Sequence, residues 1–328
     1  MACGRCTLAS QLFGPVADDL RLVDDEIAAI ADVRYPPLGA LLSHVVRPRG
    51  KRLRPALVLL AAGFADYPLD RLVRLAAAIE VLHTATLVHD DLIDGATTRR
   101  GTATLHSLVS GHATVLVGDY LFAQAAYLCS RTESVRVMGI FGQTLMAICD
   151  GELQQLFSAG DDRMTLERYL EKIRCKTAEL FQTATQTGAI LSGADEDQIA
   201  ALATYGLKVG LAFQVVDDVL DYIGDEQTLG KPVGGDLRQG TLTLPALWVL
   251  QNLPSDRSVR QALESGGEDE GVVRTAVRTV AESPAIAYSL GVARQLSMEA
   301  RAALAGLPDN ASRAALEAIA EYVVSRSS

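Results

Sequence analysis

The stretch DRLVRLAAAIEVLHTATLVHDDLID, residues 70–94, decides the fold prediction. It contains neither glycine nor proline, and its apolar residues recur at spacings of three and four, which predicts one long helix buried on most sides. The stretch QIAALATYGLKVGLAFQVVDDVLDYI, residues 198–223, has the same character. Strand signals are weak, because the most β-like run, residues 113–122, lies between helical stretches and has no hairpin partner. The sequence therefore predicts an all-α protein.

Further predicted helices surround these two. They are expected at about residues 15–32, 53–65, 112–130, 134–157, 165–191, 241–252, 272–281, 285–306 and 310–326. The loops between them are short and polar, and none is long enough to be a domain linker. We therefore expect a single domain over residues 1–328, a bundle of about ten or more helices around a central cavity, with residues 1–10 as a flexible tail.

The composition disfavours several classes of protein. With 40 acidic and 30 basic residues the net charge is −10, which disfavours a nucleic-acid partner. The five cysteines have irregular spacings unlike a disulfide framework, and the pair Cys3 and Cys6 has no second pair to complete a zinc site. No apolar run reaches the roughly 20 residues that cross a bilayer, and the N-terminus lacks a signal-peptide pattern, so we expect a cytoplasmic protein without a transmembrane segment.

Two aspartate triplets close the two core helices. They are Asp90, Asp91 and Asp94, and Asp217, Asp218 and Asp221. The shared spacing i, i+1, i+4 places carboxylates on one helical face, and a glycine that can end a helix follows each triplet. A single triplet is typical of a solvated helix end, but two triplets among apolar residues indicate a compensating cation, because crowded carboxylates raise one another's pKa. Oxygen ligands alone favour Mg²⁺, which also takes water and substrate phosphate.

Basic residues lie close to both triplets in the sequence. TTRRG (97–101) follows the first triplet, RPRGKRLRP (47–55) precedes an apolar helix, and the glycine-rich segment 230–245 displays Lys231 after the second triplet. Arginine forks suit diphosphate oxygens, and the alternative of a solubilising or RNA-binding loop is the weaker one in an acidic chain with 5% aromatic residues. His83 lies on the helical face of Asp90, although its spacing alone favours an ordinary core histidine.

Together these motifs resemble those of the trans-polyprenyl diphosphate synthases, the all-α enzymes that elongate isoprenoid chains. The matching motifs are GKRLRP (50–55), HTATLVHDDLID with TTRRG (83–101), GELQQ (151–155), KT (176–177), AFQVVDDVLD (212–221) and GKPVGGDL (230–237). The resemblance implies the isoprenoid synthase fold, a homodimer, and transient membrane contact for product release. It also implies condensation of isopentenyl diphosphate with an allylic diphosphate such as farnesyl or geranylgeranyl diphosphate, with about three Mg²⁺ ions per site.

The resemblance assigns roles to the matching positions. All six aspartates would bind Mg²⁺. The allylic diphosphate would be held by Arg99, Lys176, Gln214 and Lys231, with Thr177 as a further substrate contact. Isopentenyl diphosphate would be held by Lys51, Arg54, His83 and Arg100. Direct catalytic roles are expected for Asp90, Asp91, Asp94, Arg99, Lys176, Asp217, Asp218 and Lys231. One position departs from the pattern, since Thr241 stands where many relatives carry lysine.

Product length is expected to depend on the residues just before the first triplet. In the family a bulky residue five positions before the first aspartate forms the floor of the product tunnel, and here Ala85 stands there, next to Thr86. Small residues leave the tunnel open, which predicts a long product of about 30 to 50 carbons for quinone side chains. The alternatives are a shorter farnesyl or geranylgeranyl diphosphate synthase, a terpene cyclase, or a non-catalytic partner subunit.

Overall fold

The computed structural model describes residues 12–46, 52–99, 101–157, 164–224 and 233–326. The cysteines of the predicted tail, Cys3 and Cys6, lie outside the described residues, as do three of the predicted site residues, Lys51, Arg100 and Lys231. Within the described ranges the chain is helical apart from loops and one two-stranded hairpin, which confirms the all-α prediction. The chain divides into two compact units, each described by itself below, and the single-domain expectation stays a prediction.

The first unit comprises residues Met1–Thr144, Leu180–Gly206 and Ala303–Ile319. Its described α-helices up to residue 130 include α1 (Ala17–Ala28), α2 (Pro36–Val46), α3 (Leu53–Ala61), α4 (Leu69–Ile93), α5 (Leu105–Leu108) and α6 (Gly111–Ser130). Its centre is α4, whose side chains Leu72, Leu75, Ile79 and Leu82 are fully buried. Helices α1, α3 and α6 pack against it. The long helix predicted from its apolar spacing is therefore the core of this unit.

Close packing of α6 on α4 depends on a glycine. A Cβ atom placed on Gly118 would overlap the imidazole ring of His89 on α4, so a larger residue there would separate the two helices. The ring of His89 also lies 5.3 Å from that of Phe122. His89 therefore faces α6.

The chain continues through α7 (Val135–Phe157), α8 (Leu166–Ile173), α9 (Glu179–Leu191) and α10 (Glu196–Ile223). One unbroken helix was predicted at about 165–191, but a π-helical turn over Arg174–Ala178 separates α8 from α9. Helical periodicity cannot reveal such a turn, because it inserts one residue without changing the helical character of the sequence. Turns of this kind occur often at functional sites.

The second unit comprises residues Leu145–Glu179, Leu207–Ala302 and Ala320–Ser328. The helices that the structure describes after residue 224 are α11 (Gly235–Arg238), α12 (Leu244–Asn252), α13 (Ser258–Glu264), α14 (Glu270–Glu282), α15 (Ala285–Ala303) and α16 (Ala311–Ser325). Helix α13 packs against α12 and α14, and their inward side chains Val249, Val259 and Val280 are buried.

Some elements have weak sequence signals. Helix α2 begins at two prolines, Pro36 and Pro37, which look like a break although proline is tolerated in a first helical turn. Helices α5, α11 and α13 have four to seven residues each, too few to show a period.

Among the residues that the structure describes, two helices, α4 and α10, are long and apolar enough to cross a membrane by length and composition alone. The most apolar windows of these helices are 61% and 56% buried inside the protein, as expected for core helices. Each also ends in an aspartate triplet, which a bilayer would disfavour.

Candidate active site

The first aspartate triplet lies where α4 ends. The amide of Gly95 bonds to the carbonyl of Leu92, the amide of Ala96 bonds to that of Asp91, and Gly95 has φ +63°, so the helix stops in a Schellman motif. The triplet therefore lies at the negative end of the helix dipole, where carboxylates are electrostatically unfavourable. This position agrees with the role of a cation site.

Asp91 is the buried member of this triplet, and its partner comes from a short hairpin. Strands β1 (Thr98–Arg99) and β2 (Thr102–Ala103) pair antiparallel, and the hairpin returns Arg99 to the helix end. Nε of Arg99 donates to Oδ1 of Asp91 at 2.6 Å. Burial raises the pKa of Asp91, while Arg99 opposes that rise. Asp90 is partly exposed and Asp94 is exposed, so they present carboxylates on the accessible side.

The described part of the GKRLRP motif is anchored by an ion-pair network. Arg52 has a left-handed backbone (φ +50°), and its guanidinium donates to Asp24 at 2.7 Å and to Glu80 at 2.9 Å. Its neighbour Arg54 is half-buried, with its guanidinium carbon 4.7 Å from the centre of the Phe181 ring. Arg52 therefore has a structural role, and it fixes the backbone that presents Arg54.

The predicted product-length residues lie on α4 before the triplet. Ala85 is fully buried, while His83 and Thr86 are half-buried. The hydroxyl of Thr86 donates to the carbonyl of His83 at 2.8 Å. Three further residues could stop the growing chain, namely Val81, Leu82 and Met146. Val81 and Leu82 are fully buried, whereas Met146 is 66% exposed, which makes Met146 a poor candidate for a tunnel floor.

The second triplet lies at the end of α10 and has a buried member too. Asp218 is only 3% exposed, and its two oxygens accept hydrogen bonds from the Tyr169 hydroxyl and the Gln214 amide, both at 2.7 Å. Burial raises the pKa of Asp218 to about 6, although these two hydrogen bonds and the nearby ammonium of Lys172 oppose the rise. A carboxylate this deeply buried would be stabilised by a bound cation.

Asp221 connects the triplet to the glycine-rich segment. Its Oδ2 accepts from the amide of Asp236 at 3.0 Å, and its carbonyl accepts from the amide of Gly234 at 2.6 Å. Gly234 has φ +80°, and a Cβ atom there would overlap the Val277 side chain, so both the conformation and the space require glycine. The segment that follows Lys231 is thereby fixed beside the second triplet.

The KT motif lies in the π-helical turn. Nζ of Lys176 forms an ion pair with Oε1 of Glu152 at 2.9 Å, and the hydroxyl of Thr177 donates to Oε1 of Gln214 at 2.6 Å. Gly151 permits this contact, because a Cβ atom there would lie 2.7 Å from Cβ of Cys175. The structure therefore brings the GELQQ motif, the KT motif and Gln214 together beside Asp218.

Three residues beside the second triplet or its neighbours in the structure were missed by the sequence interpretation. They are Tyr169, Lys172 and Arg326. Lys172 is 7% exposed and donates to the carbonyl of Leu242 at 3.1 Å, next to Thr241. Burial lowers the pKa of Lys172, while Asp218 and Asp236 oppose that shift. Spacings of three and four from Tyr169 through Lys172 to Lys176 could have indicated Tyr169 and Lys172, whereas Arg326 had no local signal.

Both triplets fit Mg²⁺. Their donors are carboxylate oxygens. Asp91 in the first triplet and Asp218 and Asp221 in the second are buried, whereas Asp90, Asp94 and Asp217 are reachable from solvent. Among the residues that the structure describes, no three His, Cys, Asp or Glu side chains converge into a closed metal site. Mg²⁺ typically binds one or two carboxylates and fills its remaining positions with water and phosphate, and the carboxylate oxygens of the triplets are donors of this kind.

Comparison with known proteins agrees with these features. The family model described as "Polyprenyl synthetase" matches residues 36–280. The chain is 37% identical over 317 residues to heptaprenyl diphosphate synthase component 2 of Geobacillus stearothermophilus, covering 96% of this chain and 98% of that protein.

Solved structures with the same fold include two of these enzymes. The crystal structure of polyprenyl synthase from Caulobacter crescentus CB15, complexed with calcium and isoprenyl diphosphate, superposes with a TM-score of 0.92 at 38% identity, covering 98% of each chain. The decaprenyl diphosphate synthase from Rhodobacter capsulatus superposes with a TM-score of 0.90 at 37% identity, covering 98% of this chain and 99% of that one.

Proposed function

This chain belongs to the polyprenyl synthetase family, and we propose that it joins isopentenyl diphosphate head-to-tail to an allylic diphosphate and makes a long all-trans polyprenyl diphosphate. It is a prenyltransferase. A product of about 30 to 50 carbons is supported by relatives named heptaprenyl and decaprenyl diphosphate synthase. Quinone side chains are the proposed use of that product. The observation that carries the proposal is the pair of aspartate triplets, each with a buried member beside cationic side chains.

The allylic diphosphate is held by metal ions and by basic residues. Mg²⁺, proposed as about three ions on Asp90, Asp91, Asp94, Asp217, Asp218 and Asp221, would neutralise the charge that develops on the departing diphosphate. Arg99, Lys176 and Lys231 donate to the diphosphate oxygens, with Gln214 and Thr177 beside them. The carboxylates of Asp91 and Glu152 pre-position the Arg99 and Lys176 side chains, which lowers the ordering cost when the substrate binds.

Isopentenyl diphosphate is held by Lys51, Arg54, His83 and Arg100. The stacking of Arg54 on Phe181 limits the rotamers of its guanidinium, so the fork is prepared for a diphosphate. His83 projects from the same helix that carries Asp90, seven residues earlier. This arrangement supports a second substrate beside the first triplet.

The reaction breaks the allylic C–O bond and forms one C–C bond. The bonding electrons leave with the diphosphate, the double bond of isopentenyl diphosphate attacks the resulting allylic cation, and a proton is lost to the released diphosphate. The chain's task is to hold both diphosphates and to exclude water from the cation, which the apolar residues around α4 favour. Small residues at Ala85 and Thr86 leave room for the growing chain.

We also propose an assembly and a cellular location for the enzyme. Helix α6 exposes Val115, Leu116 and Tyr127 on one face, and this apolar face supports a homodimer. We place the enzyme in the cytoplasm, with transient membrane contact when the apolar product leaves.

The test is to incubate the purified protein with Mg²⁺, labelled isopentenyl diphosphate and farnesyl diphosphate, and to size the products by chromatography. Products of about 30 to 50 carbons are expected. Products that stop at 20 carbons or fewer would identify a shorter-chain synthase, and cyclic hydrocarbons would identify a cyclase. Absence of incorporation would contradict autonomous activity and favour a chain that needs a partner subunit.

A further inference from the structure

The second aspartate triplet contacts an arginine that lies much later in the sequence. Arg326 follows α16 directly, and its Nη2 lies 2.6 Å from Oδ1 of Asp217, the first member of the second triplet. The same Nη2 donates to the carbonyl of Phe213 at 2.6 Å. Arg326 is thus the point at which the C-terminal residues meet the triplet.

The guanidinium is held from several sides. Its central carbon lies 3.8 Å from the centre of the Phe213 ring, and its Nε donates to the carbonyl of Val323 at 3.3 Å. The side chain of Arg326 is 10% exposed, whereas that of Asp217 is 41% exposed. The largely buried guanidinium of Arg326 therefore holds one oxygen of the Asp217 carboxylate, which remains accessible to solvent.

This geometry differs from an ordinary surface ion pair. Arg301 and Glu321 form such a pair in the same unit, 2.7 Å apart, with side chains 45% and 61% exposed. Exposed pairs contribute little, because both side chains remain free to move. Arg326 is instead fixed by stacking and by two backbone carbonyls, so it can orient its partner.

We propose that Arg326 is a positioning residue for Asp217: it orients that carboxylate for Mg²⁺, so the residue that follows α16 becomes part of the proposed metal site. The inference rests on the proposed function, in which Asp217 binds Mg²⁺. The ion pair holds Oδ1 of Asp217, and it restricts the carboxylate in advance of metal binding. Partners of this kind typically change metal affinity about 10- to 100-fold when removed.

The test measures the Mg²⁺ dependence of ligand binding rather than turnover. Free Mg²⁺ is titrated against purified full-length protein with the unreactive probe farnesyl S-thiolodiphosphate, and binding is followed as protection against thermal unfolding. Arg326→Gln is expected to raise the half-saturating Mg²⁺ concentration about tenfold. Arg326→Lys, which keeps the charge but loses the planar fork, is expected to lie between the wild type and Arg326→Gln. Arg301→Gln is the matched control and is expected to leave the midpoint unchanged.

A double-mutant cycle separates positioning from a merely structural role. In the Asp217→Asn background, Arg326→Gln should cause no further shift, because the residue through which it acts is already altered. Equal shifts in both backgrounds, an unchanged midpoint, or a lower midpoint in Arg326→Gln would each overturn the inference. Failure of the proposed function has a different signature, because the wild-type protein itself would then show no Mg²⁺-dependent protection.

Discussion

Replacing Gly151 with alanine should impair catalysis by displacing the KT motif. The added Cβ atom would lie 2.7 Å from Cβ of Cys175 and 3.3 Å from the backbone nitrogen of Lys176, whereas ordinary contact begins at 3.4 Å. Both neighbours belong to the π-helical turn, so this turn must move away from α7 by about 0.7 Å, the difference between 3.4 and 2.7 Å. Lys176 and Thr177 would move with it.

The magnitude follows from that displacement. A misplacement of about 1 Å can cost roughly 100-fold in rate, equivalent to about 2.7 kcal/mol of transition-state stabilisation. Overpacking at a buried contact costs a further 1–3 kcal/mol or so of folding free energy. We therefore expect kcat/KM for farnesyl diphosphate to fall about 100-fold while the protein remains folded.

The assay measures labelled isopentenyl diphosphate incorporation at varied farnesyl diphosphate, together with the Tm. Gly142→Ala in the same helix is the matched control, because no atom lies within 4 Å of the new Cβ. That control should keep wild-type kinetics and gain about 0.5–1 kcal/mol of stability from the loss of a helical glycine. A Gly151→Ala enzyme with kcat/KM within twofold of the wild type would refute the packing argument, as would an equal loss in the control.

Three further predictions concern the triplets and the tunnel. Ala85→Phe should shorten the products, since it fills a fully buried position on α4, and an unchanged product ladder in mass spectrometry would exclude a floor at this position. Arg99→Gln should raise KM for farnesyl diphosphate about tenfold and leave KM for isopentenyl diphosphate unchanged, because only the allylic diphosphate would lose the guanidinium that Asp91 pre-positions. Steady-state kinetics with equal rises for both substrates would contradict this. In metal-free protein, the raised pKa of Asp218 favours folding at low pH, because the folded state then binds a proton more tightly than the unfolded state. This contribution to the free energy of unfolding should be lost as pH rises from 3.8 to about 6. Urea titrations of Asp218→Asn should lack this pH-dependent part.

The helical architecture could be predicted because its main signal is local. Apolar spacing placed α4 within one residue at each end and α10 within two, and the glycines after both triplets indicated where these helices stop. The β1–β2 hairpin was missed, since two-residue strands leave no alternation to detect.

The site was predictable only in part. The aspartates were visible as triplets, but the sequence does not show which members are buried, because burial depends on packing against other elements. Tyr169 was missed because its hydroxyl reaches Asp218 across 49 positions of sequence. Arg326 was missed for the same reason, since it lies 109 positions after Asp217. Such partners are determined by the tertiary fold and leave no local pattern.

The π-helical turn also determines the direction in which the side chains that follow it point. Along an unbroken α-helix, the eight positions from Tyr169 to Thr177 rotate about 80° beyond two full turns, which would point the two side chains in different directions. The wider turn at Arg174–Ala178 reduces that rotation, and Thr177 reaches Gln214 while Tyr169 reaches Asp218. For the register of α9, the number of residues in this turn therefore matters more than the identity of its outward side chains. Deleting a single one would turn every later residue of α9 by about 100°, whereas exchanging an outward side chain would leave the register intact.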